Sequence, residues 1–531
     1  GEFMTTTPRL RLLAFRERTE LAGALAVLTA ALLLVPASEA SGGTSSGAGT
    51  PRALMGWEHE RPARGVDLYS GTLRSSGTAR WTVTVRADGA QLLDRSEADA
   101  AAGELRAAGF TPRTDRIEWP QGSADRKGTL GVRVRVGHHS SQKEAEAERQ
   151  ALTDAGFDAV TEWTGGDGAT DGGLARVKVA VVDPRRFKGS LGSDYGVAAS
   201  GRETVTAMSV RAGALLGVNA GFFVMDEPDG IPGAAAGVAA RNGELQSAAT
   251  NGRIAAVLHG DGLRPQLRHL RTELSVRSGG ASTTVDGINR KPGLVRNCGG
   301  VGGDRPTGLP RHDVTCTDTD ELVHFTDELG ASTPKGEGVE SVMDRTGRVV
   351  QLRARGGKVP AGGDVLAGTG EGASWLREHA GLGTAPTLKE RITDQHGRTV
   401  RIGAEDDIVN GGPQLVSEGQ VAVDFGADGI DRPGDPSTPY SWGLKRNPRT
   451  ALGVDGGGRV LLVTAEGRQP GRSDGLSVTQ TAQLMKALGA VEAMNLDGGG
   501  STAMTLDGEL ITRPSDPTGE RPVGDALMLK P

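Results

Sequence analysis

The chain has 531 residues, 36% hydrophobic, 24% charged and only 3% aromatic, with a formal net charge of −6. That balance suits a soluble globular protein of more than one domain, and it excludes the basic field that nucleic-acid binding requires. Glycine is abundant, at 82 residues, but follows no Gly-X-Y period, so it marks turns and joints rather than a triple helix.

Gly1-Glu2-Phe3 ahead of Met4 reads as a vector scar and is left out of the fold reasoning. Residues 4–40 then carry an export signal: a basic start with Arg9, Arg11, Arg16 and Arg18, an apolar run over 21–35, and a small-residue cleavage site ending at Ala40. The apolar run falls short of a membrane span, so cleavage is expected and an uncleaved anchor is the alternative. The product is expected to be secreted or wall-associated, with no membrane span after processing. Residues 41–76 read as a Gly/Ser/Thr-rich linker.

Alternation over 81–85 predicts a strand, and 96–108 a helix stopped by Gly109. Residues 132–136 (Val-Arg-Val-Arg-Val) are a second strand, and 141–155 a second helix stopped by Gly156. The order strand, helix, Ala-Gly-Phe, strand occurs twice, which predicts a small pseudo-symmetric α/β module over 77–164. Its second half, VRVRVGHHSSQKEAEAERQALTDAGFDAV, resembles the SPOR domain of bacterial envelope proteins. The resemblance implies binding to peptidoglycan glycan strands; a purely structural module is the alternative. His138 and His139 are adjacent on a strand and point to opposite faces, so a surface pair is expected rather than a metal site. Residues 165–173 read as a second flexible linker.

The remainder, 174–531, is long enough for one large mixed α/β (α+β) domain. A strand is expected over 177–182, a helix over 205–212, and a strand over 214–218 that runs into Asn219-Ala220-Gly221. Another strand ends at Asn410-Gly411-Gly412, and a strand pair covers 452–454 and 460–464. Residues 477–488 form a helix with Ser477 and Gln480 as a capping box and Gly489 as its stop. It leads to a strand over 491–496 and then to Asp497-Gly498-Gly499-Gly500-Ser501-Thr502, followed by a hairpin turning at Asp507-Gly508.

Three strand ends thus finish in Asn, Gly or Asp clusters, and such ends gather into sites in α/β proteins. The glycine passage after Asp497 suits a nest of backbone amides for an anion, with the Ser501 and Thr502 hydroxyls nearby. Arg449 adds a planar cation suited to phosphate or carboxylate, and Glu340 a second acid. Each has an ordinary alternative as a turn residue or a salt-bridge partner. Cys298 and Cys316 are the two cysteines, and in an exported chain a disulfide is expected. Asp424, Asp428, Asp431 and Asp435 form an acidic loop. It is the one candidate for a divalent cation, Ca²⁺ or Mg²⁺, but its spacing does not match the EF-hand loop, and a solvated insertion is expected.

The stretches GVNAGFF, NGGPQLV, RTALGV, EGRQPGRSDGLSVTQTAQLMKALGAVEAMNLDGGGST and RPVGDALML resemble the phosphodiester glycosidase family. That resemblance implies hydrolysis of a sugar 1-phosphodiester. It places Asn219, Glu340, Arg449 and Asp497 in the active site. Around them it puts a binding surface of Gly221, Asn410, Gly411, Gly412, Glu466, Arg468, Gly498, Gly499, Gly500, Ser501 and Thr502. The family usually has Asp-Gly where this chain has Glu466-Gly467, and Glu where it has Gln480. The expected function is therefore a secreted phosphodiester glycosidase acting on an envelope glycan or a teichoic-acid-like polymer. A glycosidase for unphosphorylated glycan and a non-catalytic glycan-binding protein are the alternatives.

Overall fold

A computed structural model describes residues 49–169, 171–250, 252–298 and 310–531. The export signal and the start of the first linker lie outside the described residues. Among the described residues no helix is long and apolar enough to cross a membrane.

The scaffold is an eight-stranded antiparallel sheet. Its order is Glu58–Ala63, Val66–Arg74, Leu174–Val182, Val460–Ala465, Arg449–Asp455, Ala490–Asn495, Gln414–Ser417 and Gln420–Val421. Its middle strands are apolar on both faces because both faces are covered. Val177, Val179 and Val181 pack with Leu461 and Val463 beneath the helix Val478–Ala487 and the residues Phe425 and Tyr440. Ala180, Val182, Leu452, Leu462 and Met494 point the other way. There they meet two five-stranded antiparallel sheets, through Leu216, Val218 and Leu527 of one and Ile254, Ala256 and Val409 of the other. The fold is mixed α and β as expected, with nearly all strand pairs antiparallel.

The helix Val478–Ala487 has the predicted capping box: the Gln480 amide N–H donates to Ser477 Oγ at 3.1 Å, and Ser477 N–H donates back to Gln480 Oε1 at 2.9 Å. Gln480 also donates to the Gly168 carbonyl at 3.2 Å, so its role is structural. The hairpin after the glycine passage turns at Asp507 (φ 50°) and Gly508 (φ 79°), the two positive-φ positions of a type I′ turn.

Two expectations are corrected here. Much of the first linker is folded, since Glu58–Ala63 and Val66–Arg74 are strands of the large sheet. The small and polar residues of that stretch hide a hairpin, and Gly71 is required because a side chain there would enter the Trp57 ring, 2.3 Å from its Cδ2. Residues 165–173 are likewise held in place. The Asp171 carboxylate accepts from Gly168, Ala169 and Gly173 amides at 2.8–3.1 Å and pairs with Arg446 at 3.3 Å, with both side chains buried.

The N-terminal module is a sheet of Leu92–Leu93, Thr129–His139, Trp81–Arg86 and Asp158–Trp163, with Pro112–Glu118 pairing to Thr129–His139. Helices Arg95–Ala107 and Gln142–Asp154 cover one face, with Leu105 and Leu152 packing on Val83, Val85, Val134 and Val136. The Val-Arg-Val-Arg-Val alternation sends its arginines to the opposite face, which lies on the large domain. Arg135 pairs with Asp167 at 2.6 Å and Glu162 at 2.9 Å, and Arg133 donates to Tyr440 Oη at 2.9 Å. Glu162 in turn pairs with Lys445 at 2.8 Å. His139 pairs with Glu148 across to the second helix, and His138 is exposed.

Candidate active site

The three predicted strand ends do converge, although they belong to three different sheets. Leu216–Asn219, Asp407–Asn410 and Ala490–Asn495 deliver one asparagine each, all buried, and each amide clamps a neighbouring backbone. Asn219 Nδ2 donates to the Asp497 carbonyl at 2.6 Å, while its Oδ1 accepts from Thr450 Oγ1 at 2.7 Å and Ala503 N at 3.2 Å. Asn410 Oδ1 accepts from Phe222 N at 3.0 Å, and its Nδ2 donates to the Phe222 carbonyl at 3.2 Å. Asn495 Nδ2 donates to the Gly412 carbonyl at 3.0 Å. These asparagines position the site and do not line it.

Beside this knot opens a cavity of about 370 Å³. Asp497, Arg449, Arg468, Gly498 and Gly499 line it, as do Phe222, His312, Trp442 and Arg521. His312 stands edge-on to Phe222 and Trp442, with ring centroids 4.5 and 4.7 Å apart, and forms an aromatic wall. Burial lowers the His312 pKa to about 4, so the ring is neutral near pH 7. The Arg449 guanidinium lies over Trp442 at 5.1 Å and donates to the carbonyls of Leu476 at 2.8 Å and Trp442 at 2.6 Å. Arg468, in the left-handed region at φ 55°, donates to Asn447 Oδ1 at 3.1 Å. Neither Arg449 nor Arg468 has a carboxylate ion pair among the described residues. Burial, reinforced by the charge of Arg468, disfavours the Arg449 cation, so an incoming anion would relieve both.

Asp497 is partly reachable from the cavity, yet protein surrounds it. That burial raises its pKa to about 7, against the Gly498 amide, which donates to Oδ1 at 2.9 Å. The buried Ser501 hydroxyl is directed at the same carboxyl outside full hydrogen-bond geometry. Such a carboxyl exchanges a proton near neutral pH, as a general base requires.

The glycines act differently from the expected nest. Gly498 N donates to Asp497 and Gly499 N to the Pro448 carbonyl at 3.0 Å, so two of the three amides already have protein acceptors. The glycines are there for close approach: a side chain at Gly498 would stand 2.6 Å from the Pro448 carbonyl oxygen, and one at Gly500 would stand 2.1 Å from Arg521. Gly221 gives its N–H to Asp525 at 2.7 Å, and a side chain there would strike Asn410. Gly411 and Gly412 form the turn beside Asn495, and Thr502 Oγ1 meets Thr450 at 3.3 Å.

Glu340 is the clear misplacement. It lies in Val339–Met343 of a separate sheet, fully buried, where it accepts from Arg353 Nε at 2.9 Å and from the Thr333 hydroxyl. It contributes nothing to the cleft lining. Glu466 also stands outside the cavity, holding Arg472 and the Arg513 amide. The four aspartates are not a solvated insertion either. Asp428 is fully buried and accepts from Gln414 N at 3.1 Å, Asp431 pairs with Arg126, and Asp424 and Asp435 cap local turns. Among the described residues no group of three or more His, Cys, Asp or Glu is placed to hold a metal ion.

His312, Asp313, Trp442, Asn447 and Arg521 line the cavity without having been singled out in the sequence. The Cys298–Cys316 disulfide, with Cα atoms 5.8 Å apart, was the available signal. It ties together the chain on either side of the strand pair Leu294–Arg296 and Thr315–Thr317, close to Arg296, Asn297, His312 and Asp313, which line the cavity.

The phosphodiester glycosidase family model matches residues 342–530, and the SPOR domain model residues 78–161. Mouse N-acetylglucosamine-1-phosphodiester alpha-N-acetylglucosaminidase is 41% identical over 68 residues, and the human protein of that name 40% over the same length. Each alignment spans 13% of this chain and 13% of the relative, so most of both lengths is unmatched. Among solved structures, an exported protein of Burkholderia pseudomallei K96243 is 31% identical, with a TM-score of 0.79 over 93% of this chain and all of its own. A hypothetical protein from Synechocystis shares the fold at 18% identity, with a TM-score of 0.51 over 90% of this chain and 80% of its own. On these matches residues 342–530 form a phosphodiester glycosidase domain, which supplies Arg449, Arg468, Arg521, Asp497 and the glycine passage, and residues 78–161 a SPOR domain, while Leu216–Asn219, Phe222 and His312 lie outside both matched stretches.

Proposed function

We propose that the chain hydrolyses a sugar 1-phosphodiester at the Asp497 cleft, releasing the sugar and leaving a phosphomonoester. One observation carries the reading: a carboxyl titrating near neutrality shares a cavity with buried Arg449 and exposed Arg468, neither of which has a carboxylate ion pair among the described residues. Arg449 and Arg468 hold the phosphodiester anion. The wall of Phe222, His312 and Trp442 takes the sugar. Asp497 removes a proton from water as the water oxygen bonds to C1; the C1–O bond breaks, and its electron pair stays on the phosphate oxygen. The phosphomonoester is a good leaving group, so no general acid is required at that oxygen.

Hydrolysis in ¹⁸O-water with synthetic sugar 1-phosphodiesters tests this. Label in the sugar, and turnover lost in Asp497→Asn, is the expected result. Label in the phosphate would place the attack at phosphorus and overturn it. No turnover of the diesters, with hydrolysis of plain glycosides, would favour an unphosphorylated glycan as substrate.

The setting we propose is extracytoplasmic, with the substrate on a cell-envelope glycan or teichoic-acid-like polymer. The SPOR domain and the exported structural relative support it. Peptidoglycan glycan strands are the proposed partner of the SPOR domain. Its helix-free sheet face is taken up by the catalytic body, which leaves its edges and strand ends to bind.

A further inference from the structure

A second cavity, of about 280 Å³, adjoins the catalytic one and shares Ser441, Asn447 and Arg468 with it. Its far side is not made by the glycosidase fold. Gln91, just before the edge strand Leu92–Leu93, and Trp163, the last residue of the opposite edge strand Asp158–Trp163, come from the SPOR-domain module. We propose that a substrate continues past the phosphate into this second cavity, so that the group leaving as a phosphomonoester is a glycan chain bound jointly by both domains. This rests on the sugar 1-phosphodiester reading above.

The chemistry of the lining selects an uncharged, hydroxyl-rich occupant. Its cations are already compensated: Lys445 by Glu162 at 2.8 Å, and Arg446 by Asp171 at 3.3 Å. Beside Arg468 and the Asp474 carboxylate, which accepts from Leu174 N at 2.9 Å, what remains is an indole, two amide side chains and a hydroxyl, the set that packs on a pyranose ring and reads its hydroxyls. Gln91 Oε1 is buried without a hydrogen-bond partner, whereas Trp163 Nε1 leans on the Asp474 carboxylate just short of full hydrogen-bond geometry. Buried polar atoms are rarely left unmatched, and a sugar hydroxyl would satisfy the Gln91 oxygen, while the indole face offers a packing surface for the ring. Arg468 remains at the boundary between the cavities, where the phosphate would lie.

The two domains are joined so that the cavities stay in line. The turn 440–447 supplies Trp442 to one cavity and Lys445 to the other. SPOR-domain residues hold it through Arg133 on Tyr440 and Glu162 on Lys445. A contact at Ser437, which accepts from Leu92 N at 3.2 Å, fixes the residues just before it.

Two substrates with the same sugar 1-phosphate decide the matter, one esterified to methanol and one to the primary hydroxyl of a neutral tetrasaccharide. In wild type kcat/KM should favour the tetrasaccharide diester by about tenfold, and in Gln91→Ala and Trp163→Ala that ratio should fall toward one. Gln91 lies at the domain edge, so its variant separates binding from folding, and matched thermal unfolding confirms this. An unchanged ratio in both variants overturns the proposal. If wild type hydrolyses neither diester, the catalytic reading has failed. Calorimetric titration with the free tetrasaccharide then judges the subsite alone: binding weakened about tenfold in both variants upholds it, and absent or unaltered binding rejects it.

Discussion

The side-chain amide of Asn219 donates to the backbone carbonyl of Asp497 at 2.6 Å, joining strand ends that lie 278 residues apart in the chain. Asn219 is fully buried and completes its set with Thr450 and Ala503. It therefore fixes the backbone that carries the Asp497 carboxyl, proposed above as the base, from outside the cavity. Asn219→Ala would orphan several buried partners and should destabilise the fold by about 2–4 kcal/mol. Denaturant unfolding checks the loss. In the fraction that remains folded, kcat should fall while KM changes little.

Asp497 should impose an acid limb with an apparent pKa of about 7 on kcat/KM, with activity rising as pH rises through it, because the deprotonated form is the base. The sign for stability is opposite. The folded pKa lies above the unfolded value, so the folded state binds the proton more tightly and loses stability between about pH 4 and pH 7. Asp497→Asn should abolish turnover and flatten that decline. Unfolding curves collected across this range would show it, and a wild-type curve rising with pH there would contradict the assignment.

Arg449→Lys keeps a positive charge but cannot reproduce the planar fork that reaches the carbonyls of Leu476 and Trp442. We expect about a 10–100-fold loss in kcat/KM for the phosphodiester, read by steady-state kinetics, with inorganic phosphate also weakened as an inhibitor.

Glu340→Ala should separate structure from chemistry. The change leaves Arg353 without its buried partner and should cost about 3 kcal/mol of stability by denaturant titration. Turnover per folded molecule should remain within about twofold, since the residue stands outside the cleft.

Reducing the Cys298–Cys316 bond reopens a loop with a sequence separation of 18 and should lower stability by about 3 kcal/mol. Arg296, Asn297, His312 and Asp313 are attached at its two ends, so KM should rise more than kcat falls. Kinetics with and without reductant, at a temperature where both forms stay folded, would show the split.

Much of this was legible because it is local. The Ser477–Gln480 capping box, the Asp507-Gly508 turn and the Val-Arg alternation of 132–136 each follow from backbone geometry within a few residues. The Asn-Gly and Asp-Gly strand ends also announced a meeting point, because short amides and glycines are what tightly approaching backbones require. Glu340 misled because an acid at a strand start, matched by family resemblance, reads alike whether its partner is substrate or, as here, Arg353. The hairpin 58–74 was hidden by its polar and small residues, whose partner strand, Leu174–Val182, lies about a hundred positions away.

By itself, then, the sequence determined the local elements, the acid and cation types of the cleft and the presence of two modules, since these depend on side-chain chemistry and short-range periodicity. Tertiary structure alone decided that Asp497 titrates near neutrality, that His312 and Trp442 face it, and that Gln91 and Trp163 of the SPOR domain border a cavity next to it. Burial and long-range apposition set those properties, and neither is encoded in any single stretch of chain.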